Sequence, residues 1–547
     1  MTIMRKRLLI LLAWIPLMVM GQRADYRVIP LPGSIKVDTG NQFELKDGMN
    51  IGFKAGNAGV ARSAMFLRDY VEELTGLRLK VVPGGKHCPV ELRLVKEKQE
   101  AGVADGIFRS RYTMDVGKHG VLIEAPTEEG LYRGVQTLRK SLPVVTEQVT
   151  SIELPYASIS DEARFGYRGV HLDSSRHFWK VDVVKRYLDQ LAMHGCNQFH
   201  WHLTDDQGWR FEVEALPELA KKGSIRQQTV IGRNSGVYDG QPYGGYYTQD
   251  ELREVVRYAE ERYINIIPEI DLPGHMQAAL HVYPELGCTG GPYPVWQIWG
   301  VSEDVLCAGN PKTMEFLKTV LGELCDIFPS KLIHIGGDEC PKVRWKNCPK
   351  CQAKAAALGL KDDGKHSIEN QLQTWINHEI EAFLNAKGRN IIGWDETLEG
   401  GLTEGGTVMS WRGIEGGIEA AHQHHNVIMT PVDFCYIDYY QVKNTWNAPM
   451  GIGGYVPASK TYSFEPIPQE LSEEERKFIL GPQVNLWCEY VAYPSHLFYM
   501  LLPRLDAISE VQWCQPEKKD FEDFKQRLQH QFDIYQRMNV NYCKTVE

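Results

Sequence analysis

Two acidic residues, Asp338 and Glu339, stand next to each other in the segment HIGGDEC, which spans residues 334–340. Neighbouring side chains point to opposite faces of a regular strand, so a continuing strand could not aim both carboxylates into one pocket. Gly336 and Gly337 precede the pair, and glycine lets a backbone turn where a strand ends. We therefore expect the strand to end near Gly337 and the two acids to serve as proton donors or acceptors toward different atoms of one substrate.

Acidic and aromatic residues recur at the ends of several other predicted strands. The polar residues are Asp173, Asp205, Asp206, Glu269, Asp271, His275, Asp395, Glu396 and Glu489. The tryptophans on or just past strand ends are Trp201, Trp209, Trp296, Trp299, Trp345, Trp394, Trp411 and Trp487. Aromatic faces stack on the apolar faces of sugar rings, and carboxylates accept hydrogen bonds from hydroxyls. The pattern favours a carbohydrate site whose acids hydrolyse a glycosidic bond.

Metal-dependent hydrolysis is the alternative chemistry. His200 and His202 alternate along one strand and face the same side, so with His275, His334 and Asp338 they could ligate a metal. Metal sites of this type usually place the H-x-H pair on the first strand of a barrel, whereas this pair falls on the second. We therefore favour hydrogen-bonded packing for both imidazoles, and we expect no metal or other cofactor.

Eight strands alternating with helices over residues 161–515 predict an α/β catalytic domain, a (β/α)8 TIM barrel. The predicted strands are Tyr167–Asp173, Asn197–Leu203, Ile264–Ile270, Leu332–Gly337, Asn390–Asp395, Thr407–Trp411, Val427–Pro431 and Val484–Glu489. The helices between them include Val183–His194, Gln249–Arg262, Lys312–Ile327, Ser367–Ala386 and Ile414–His424. Functional residues of such barrels lie at the C-terminal ends of the strands, where the acids above fall.

The segments flanking the barrel have different patterns. Residues 22–160 are predicted to form a small non-catalytic α+β domain, with helices near 61–74 and 127–142. Residues 516–547 are expected to form a helical tail packed on the barrel. Residues 1–21 combine a basic start, a short apolar run and small residues before Gln22, which is typical of a cleaved signal peptide. No cysteine follows that site, so we expect export to the periplasm or cell exterior without a lipid anchor.

The net charge and the hydropathy of the chain limit the classes of partner that it can bind. A formal net charge of −10, with charges interspersed along the chain, argues against nucleic acid as a partner. No stretch is long and apolar enough to span a membrane. Both a monomer and a homodimer remain open.

The cysteines suggest two local pairings. Cys288 and Cys307 flank a loop rich in glycine, proline and tryptophan, and they are the preferred disulfide. Cys340, Cys348 and Cys351 form a C-x7-C-x2-C set. Zinc would need a fourth ligand there, so a local disulfide is favoured over a zinc site.

The order of the motifs resembles glycoside hydrolase family 20, the β-N-acetylhexosaminidases, over residues 25–515. The matching motifs are YRGVHLD (167–173) with SRHF (175–178), HWHLTDDQGWR (200–210), PEIDLPGH (268–275), HIGGDE (334–339), GWDE (393–396), SWR (410–412), YID (436–438) and LWCE (486–489). The segment before the barrel also resembles the non-catalytic domain that precedes the barrel in this family.

The resemblance implies an exo-acting enzyme that removes terminal β-linked N-acetylglucosamine or N-acetylgalactosamine from glycans by a substrate-assisted retaining mechanism. It implies that Asp338 orients the acetamido group, that Glu339 is the general acid and base, and that Tyr436 hydrogen bonds to the acetamido oxygen. Asp338 and apolar surroundings are expected to raise the pKa of Glu339.

The resemblance also assigns substrate-binding residues. The acetamido wall is expected from Trp394, Trp411 and Trp487, hydroxyl binding from Arg168, Asp438 and Glu489, and tuning of the general acid from Asp205 and His275. Two alternatives stay open: a related specificity (a lacto-N-biosidase or a sulfated-GlcNAc hexosaminidase) and a catalytically silent sugar-binding protein. The intact pair of acids argues against the silent protein, because a lectin needs no general acid.

Overall fold

A computed structural model describes residues 22–85 and 87–547. The predicted signal peptide, residues 1–21, lies outside this part of the chain. Among the helices described, none combines the length and the apolar character needed to cross a bilayer.

The N-terminal segment forms one mixed sheet of seven strands. In chain order they are Ser34–Lys46, Asn50–Phe53, Lys80–Pro83, Val90–Leu94, Tyr112–Gly117, Gly120–Ala125 and Ser151–Asp161, and their spatial order is 1-7-5-6-4-2-3. Its helices are Ala58–Thr75, Asp105–Phe108 and Glu128–Ser141. Asn57 and Thr127 cap the two long helices, each accepting a hydrogen bond from the backbone N–H three residues later. The predicted helices are therefore present, within three residues at each end.

Eight parallel strands close into a barrel, which confirms the TIM-barrel prediction. They are Gly169–Asp173, Gln198–His202, Asn265–Glu269, Leu332–His334, Asn390–Trp394, Thr407–Ser410, Val427–Met429 and Ile479–Val484. The eighth strand was predicted wrongly at 484–489, since it ends where the prediction begins. Its Gly481-Pro482 pair is typical of a turn in sequence. In the fold Gly481 has φ +149°, and a Cβ there would lie 2.0 Å from the carbonyl oxygen of Tyr167.

Helices surround the barrel and short segments cover its ends. The α-helices are Val181–Met193, Gln249–Glu260, Gln277–Val282, Pro311–Ile327, Val343–Asn347, Pro349–Ala357, Ile368–Ala386, Glu415–His422, Val432–Cys435, Ala458–Ser463, Pro494–Leu501 and Arg504–Trp513. Shorter helical turns are Leu219–Gly223, Pro284–Leu286, Asp395–Gly400, Glu475–Phe478 and Pro516–Lys518. Two small ribbons pair Thr204–Asp205 with Gly208–Trp209 and Ile225–Arg226 with Tyr243–Gly244.

The C-terminal helix Phe521–Arg537 has the predicted bounds and contacts both preceding units. Tyr535 donates its buried hydroxyl to Asp506 of the barrel at 2.7 Å. His530 Nε2 lies 2.9 Å from the carbonyl oxygen of Lys140, in the N-terminal unit. The tail therefore packs on more than the barrel alone.

The predicted disulfides are wrong. All twelve cysteines, which lie within the described residues, are free thiols. Cys288 and Cys307 are not bonded to each other, and no disulfide forms among Cys340, Cys348 and Cys351.

Candidate active site

A cavity of about 170 Å³ opens at the C-terminal ends of the barrel strands. Its lining is acidic and aromatic, and it consists of Arg176, Asp338, Glu339, Trp411, Val432, Tyr436, Asp438, Tyr439, Ile452, Trp487 and Glu489. The fold therefore brings together both predicted catalytic acids and five further predicted site residues from four different loops.

The turn after the fourth strand explains how two adjacent acids reach one cavity. The strand ends at His334, earlier than predicted, and Gly336 and Gly337 have φ of +64° and +99°. A Cβ on Gly336 would lie 1.8 Å from Asp271 Oδ1. Gly337 donates its N–H to the same oxygen at 3.1 Å. The chain has thus left strand geometry before it reaches the two acids, so strand alternation no longer separates them.

Asp338 is the buried member of the pair. Its side chain is 11% exposed, and its Oδ1 has no hydrogen-bond partner in the part of the chain that the structure describes. Burial, followed by the nearby charge of Asp338, raises the pKa of Asp271 well above its usual range. Burial likewise raises the pKa of Asp338, and His275 opposes that rise, while Oδ1 of Asp338 is left as a free acceptor facing the cavity.

Glu339 is the open member, with a side chain 45% exposed and a backbone φ of +43°. A positive φ at a non-glycine residue is a strained conformation that tertiary contacts must hold. His275 Nε2 lies 3.6 Å from Glu339 Oε2, and this contact lowers the pKa of Glu339. The expected rise in that pKa is thus wrong for the free site, because a cationic imidazole offsets both burial and the neighbouring acids.

His275 is held as a cation by two carboxylates. Its Nδ1 lies 3.1 Å from Asp205 Oδ1 and 3.3 Å from Asp206 Oδ2. Burial alone would lower the pKa of His275, but Asp205 and the hydrogen bonds around the ring raise it well above the ordinary value. The predicted residues Asp205 and His275 therefore form one chain of charges that ends at the two acids.

A buried carboxylate, Glu269, organises the layer below the cavity. It accepts from Trp394 Nε1 at 3.0 Å and lies 2.5 Å from His202 Nδ1, with His200 and His334 each at 3.0 Å. His202 Nε2 lies 2.9 Å from Asp205. Because both its ring nitrogens face carboxylates, and these raise its pKa to about 10 against the opposing effect of burial, His202 is a cationic link and not an available metal ligand. The favoured hydrogen-bonded packing of His200 and His202 matches this arrangement.

The aromatic residues divide into a wall and a layer beneath it. Trp411 stacks on Tyr436 at 5.9 Å and donates Nε1 to Glu396 at 3.0 Å. Trp394 is 1% exposed and packs under Trp487 at 5.9 Å, so it supports the wall without lining the cavity. Other predicted tryptophans, Trp201, Trp209 and Trp345, are fully buried in the core.

Two further carboxylates line the cavity, and some of their oxygens have no hydrogen-bond partner among the described residues. Both oxygens of Asp438 and Oε2 of Glu489 are buried and make no hydrogen bond within residues 22–85 and 87–547. Burial raises the pKa of both groups, with Glu489 adding to the effect on Asp438. Leaving buried acceptors unpaired is costly, so such groups point to a ligand that supplies hydroxyl donors.

Arg168, a predicted binding residue, lies at the opposite end of the barrel from the cavity. It precedes the first strand, at the N-terminal end of the barrel, and its guanidinium donates to the carbonyl oxygens of Gly195 and Phe165, both at 2.8 Å. Arg176, which follows the same strand, lines the cavity instead and lies 2.8 Å from Asp205. The prediction for Arg168 is therefore wrong. Barrel sites occupy the C-terminal ends of the strands, and this rule favours Arg176 over Arg168. Glu269 and Asp271 also lie at a strand C-terminal end, so the same rule could have identified them as site residues.

Comparison with known families agrees with this geometry. The sequence profile described as "Glycosyl hydrolase family 20, catalytic domain" matches residues 165–516, and the profile described as "Glycosyl hydrolase family 20, domain 2" matches residues 25–162. The two matches meet between the N-terminal sheet and the first barrel strand.

Individual proteins show the same similarity. A "Beta-hexosaminidase" of Porphyromonas gingivalis is 39% identical over 524 residues, covering 94% of this chain and 64% of the relative, so the chain spans less than two thirds of that protein. The structure of Streptomyces plicatus N-acetyl-beta-hexosaminidase in complex with Thio-NAglucal superposes with a TM-score of 0.80 at 31% identity, covering 95% and 96% of the two chains. A GH20 exo beta-N-acetylglucosaminidase from Vibrio harveyi gives 0.81 at 30% identity, covering 96% and 79%.

Proposed function

Because this chain belongs to glycosyl hydrolase family 20, we propose that it is an exo-acting β-N-acetylhexosaminidase. Its substrates are glycans that end in β-linked N-acetylglucosamine or N-acetylgalactosamine. The membership predicted from the sequence motifs is confirmed by the two profile matches.

The observation that carries the proposal is the unlike surroundings of the two adjacent acids. Asp338 is buried with a free acceptor oxygen, whereas Glu339 sits at the mouth beside a cationic imidazole. Two carboxylates in different environments suit two different tasks.

The reaction follows from these tasks. The carbonyl oxygen of the substrate's acetamido group attacks the anomeric carbon, and the glycosidic C–O bond breaks. Asp338 accepts a hydrogen bond from the acetamido N–H and stabilises the positive charge of the oxazolinium intermediate. Glu339 gives its proton to the leaving oxygen. It then takes a proton from the water that attacks the anomeric carbon and opens the oxazolinium ring. No protein nucleophile is required.

Substrate binding supplies the protonated form of Glu339 that the first step needs. In the free site His275 favours the ionised carboxyl. A sugar seated over the half-exposed side chain removes water from it, and desolvation favours the neutral acid. We infer that Glu339 becomes the protonated acid only when the substrate binds.

The remaining lining residues hold a single terminal sugar. Arg176, Asp438 and Glu489 surround the cavity with one donor and two acceptors for ring hydroxyls, and Tyr436 faces the acetamido side next to Trp411. A cavity of about 170 Å³ is small and fits one terminal sugar better than two. This favours exo action over release of a disaccharide.

We also propose that the chain is exported after cleavage behind residue 21 and acts outside the cytoplasm. N-terminal sequencing of the mature protein tests the cleavage site. Light scattering on the purified chain distinguishes a monomer from a homodimer.

The activity is tested with aryl β-N-acetylglucosaminide and β-N-acetylgalactosaminide on the wild type, Glu339→Gln and Asp338→Asn. Each variant is expected to lose at least about 100-fold in kcat, since each removes a proton donor or an oriented charge from the transition state. A thiazoline mimic of the intermediate is expected to inhibit the wild type. An inactive wild type, or near-full activity of Glu339→Gln on natural glycosides, contradicts the proposal.

A further inference from the structure

Four cysteines that the proposed reaction does not use lie together beside the active site. Cys288 and Cys307 come from the loop after the third barrel strand, and Cys348 and Cys351 follow the catalytic acids. The Sγ of Cys351 lies 3.8 Å from that of Cys288 and 3.6 Å from that of Cys307, which in turn lies 3.7 Å from that of Cys348. All four sulfurs lie within 4.8 Å of one another, and we refer to them as the four-cysteine cluster.

The sulfurs are close enough together to surround one ion. A disulfide would bring two sulfurs to about 2.05 Å, and these thiols are all free. Zinc–thiolate bonds of about 2.3 Å place neighbouring sulfurs about 3.8 Å apart in a tetrahedral site. Three of the six sulfur separations, at 3.6–3.8 Å, agree with that spacing, and the other three are no longer than 4.8 Å.

The backbone segments around the cluster are closely packed. Gly309 lies against the C-x2-C turn so closely that a Cβ on it would come 2.1 Å from the carbonyl carbon of Lys350. This close approach holds the segment that carries Cys307 against the turn that carries Cys348 and Cys351.

We propose that the four-cysteine cluster binds one zinc ion in a tetrahedral structural site. The ion replaces four thiol protons, which are released to solvent, and no electron is transferred. All four coordination positions are filled by protein sulfurs. No position remains open for water or substrate, so the site has no part in the chemical step.

The cluster joins two loops that carry catalytic residues. Leu306, next to Cys307, donates its N–H to the carbonyl oxygen of Pro273 at 3.0 Å, two residues before His275. Trp345 donates Nε1 to the carbonyl oxygen of Leu306 at 2.9 Å, and it lies six residues after Glu339. Zinc binding therefore holds the segment before His275 against the segment after Glu339. His275 and Glu339 both have a positive φ, a strained backbone conformation that such contacts help to hold.

The test measures bound metal in the full-length chain purified without chelator, by elemental mass spectrometry. We expect one zinc ion per chain in the wild type. The double variant Cys348→Ser with Cys351→Ser is expected to lose the zinc and to fall in Tm on the order of 5 °C. Cys325→Ser, which changes a buried cysteine outside the cluster, is the matched control and is expected to keep the zinc.

The wild type alone decides the matter if the double variant does not fold. An organomercurial is added to the native protein, and a chromogenic chelator records the zinc set free; zinc release as the cluster thiols react supports the site. A zinc-free wild type, iron in place of zinc, or an intact mass lower by four hydrogens, which signals two disulfides, each overturns it. Loss of zinc in Cys325→Ser overturns it as well. The enzymatic assay plays no part here, so either proposal can fail without the other.

Discussion

Replacing His275 with asparagine is expected to shift the pH profile of kcat/KM toward higher pH. The imidazolium Nε2 of His275 lies 3.6 Å from Glu339 and 3.7 Å from Asp338, and its charge favours the ionised form of both acids. Asparagine carries no charge, and it tolerates the φ of +52° found at this position.

The distances set the size of the shift. Glu339 is 45% exposed, so the dielectric constant of water applies, and losing a unit charge at 3.6 Å costs its anion about 1 kcal/mol, or nearly one pKa unit. Asp338 is 11% exposed, and an effective dielectric constant of about 20 gives an upper bound of about 4 kcal/mol, or three pKa units. Removing a positive charge raises both pKa values. The acidic limb, which needs ionised Asp338, and the alkaline limb, which needs protonated Glu339, therefore both move up.

The variant is expected to fold, because the carboxylate that His275 leaves behind keeps other partners. Asp205 still faces Arg176 at 2.8 Å and His202 at 2.9 Å. The assay is kcat/KM from pH 3 to 9 on a substrate with a poor leaving group, which needs proton donation. His424→Asn is the control, since His424 also has a positive φ, of +61°, but is exposed. An unchanged profile, or a shift to lower pH, refutes this account of the charge chain.

Two other substitution pairs test the geometry of the site. Arg176→Lys is expected to raise KM about tenfold or more, because lysine cannot reproduce a forked, charge-assisted contact to sugar hydroxyls. Arg168→Lys is expected to lower Tm and to leave KM within about twofold. If Michaelis–Menten kinetics and thermal melts show the reverse pattern, Arg168 and not Arg176 binds the substrate. Gly336→Ala is expected to lower the free energy of unfolding by about 2–5 kcal/mol in denaturant titration and to reduce kcat, since its Cβ would lie 1.8 Å from Asp271. The control Gly359→Ala has a similar φ and nothing within 4 Å of its Cβ, so it is expected to cost about 1–2 kcal/mol. Equal losses in the two glycine variants contradict the steric argument.

Local pattern was enough for the barrel and for most of the site. Seven of the eight predicted strands share three or more residues with the observed strands, and the eighth shares only Val484. Strand and helix periodicity reflect which side of an element is buried, and the position of a residue relative to its strand end says which face of the barrel it occupies. Asp338, Glu339, Trp411, Tyr436, Asp438, Trp487 and Glu489 were predicted on this basis and from the motifs, and all line the cavity. The eighth strand was misplaced because Gly481-Pro482, inside the strand, has the local signature of a turn.

What the sequence by itself determined is the fold class, the family and the set of acids at the strand ends. Only the tertiary structure decided which residues act on one another. The pKa of Glu339 depends on a through-space contact with His275, 64 positions earlier in the chain, and the four-cysteine cluster joins sulfurs from segments separated by 41 to 63 positions. Electrostatic and coordination energies fall with distance in space and not with distance along the chain. For that reason the HIGGDEC segment identifies the two acids but not the imidazolium of His275, which lowers the pKa of Glu339.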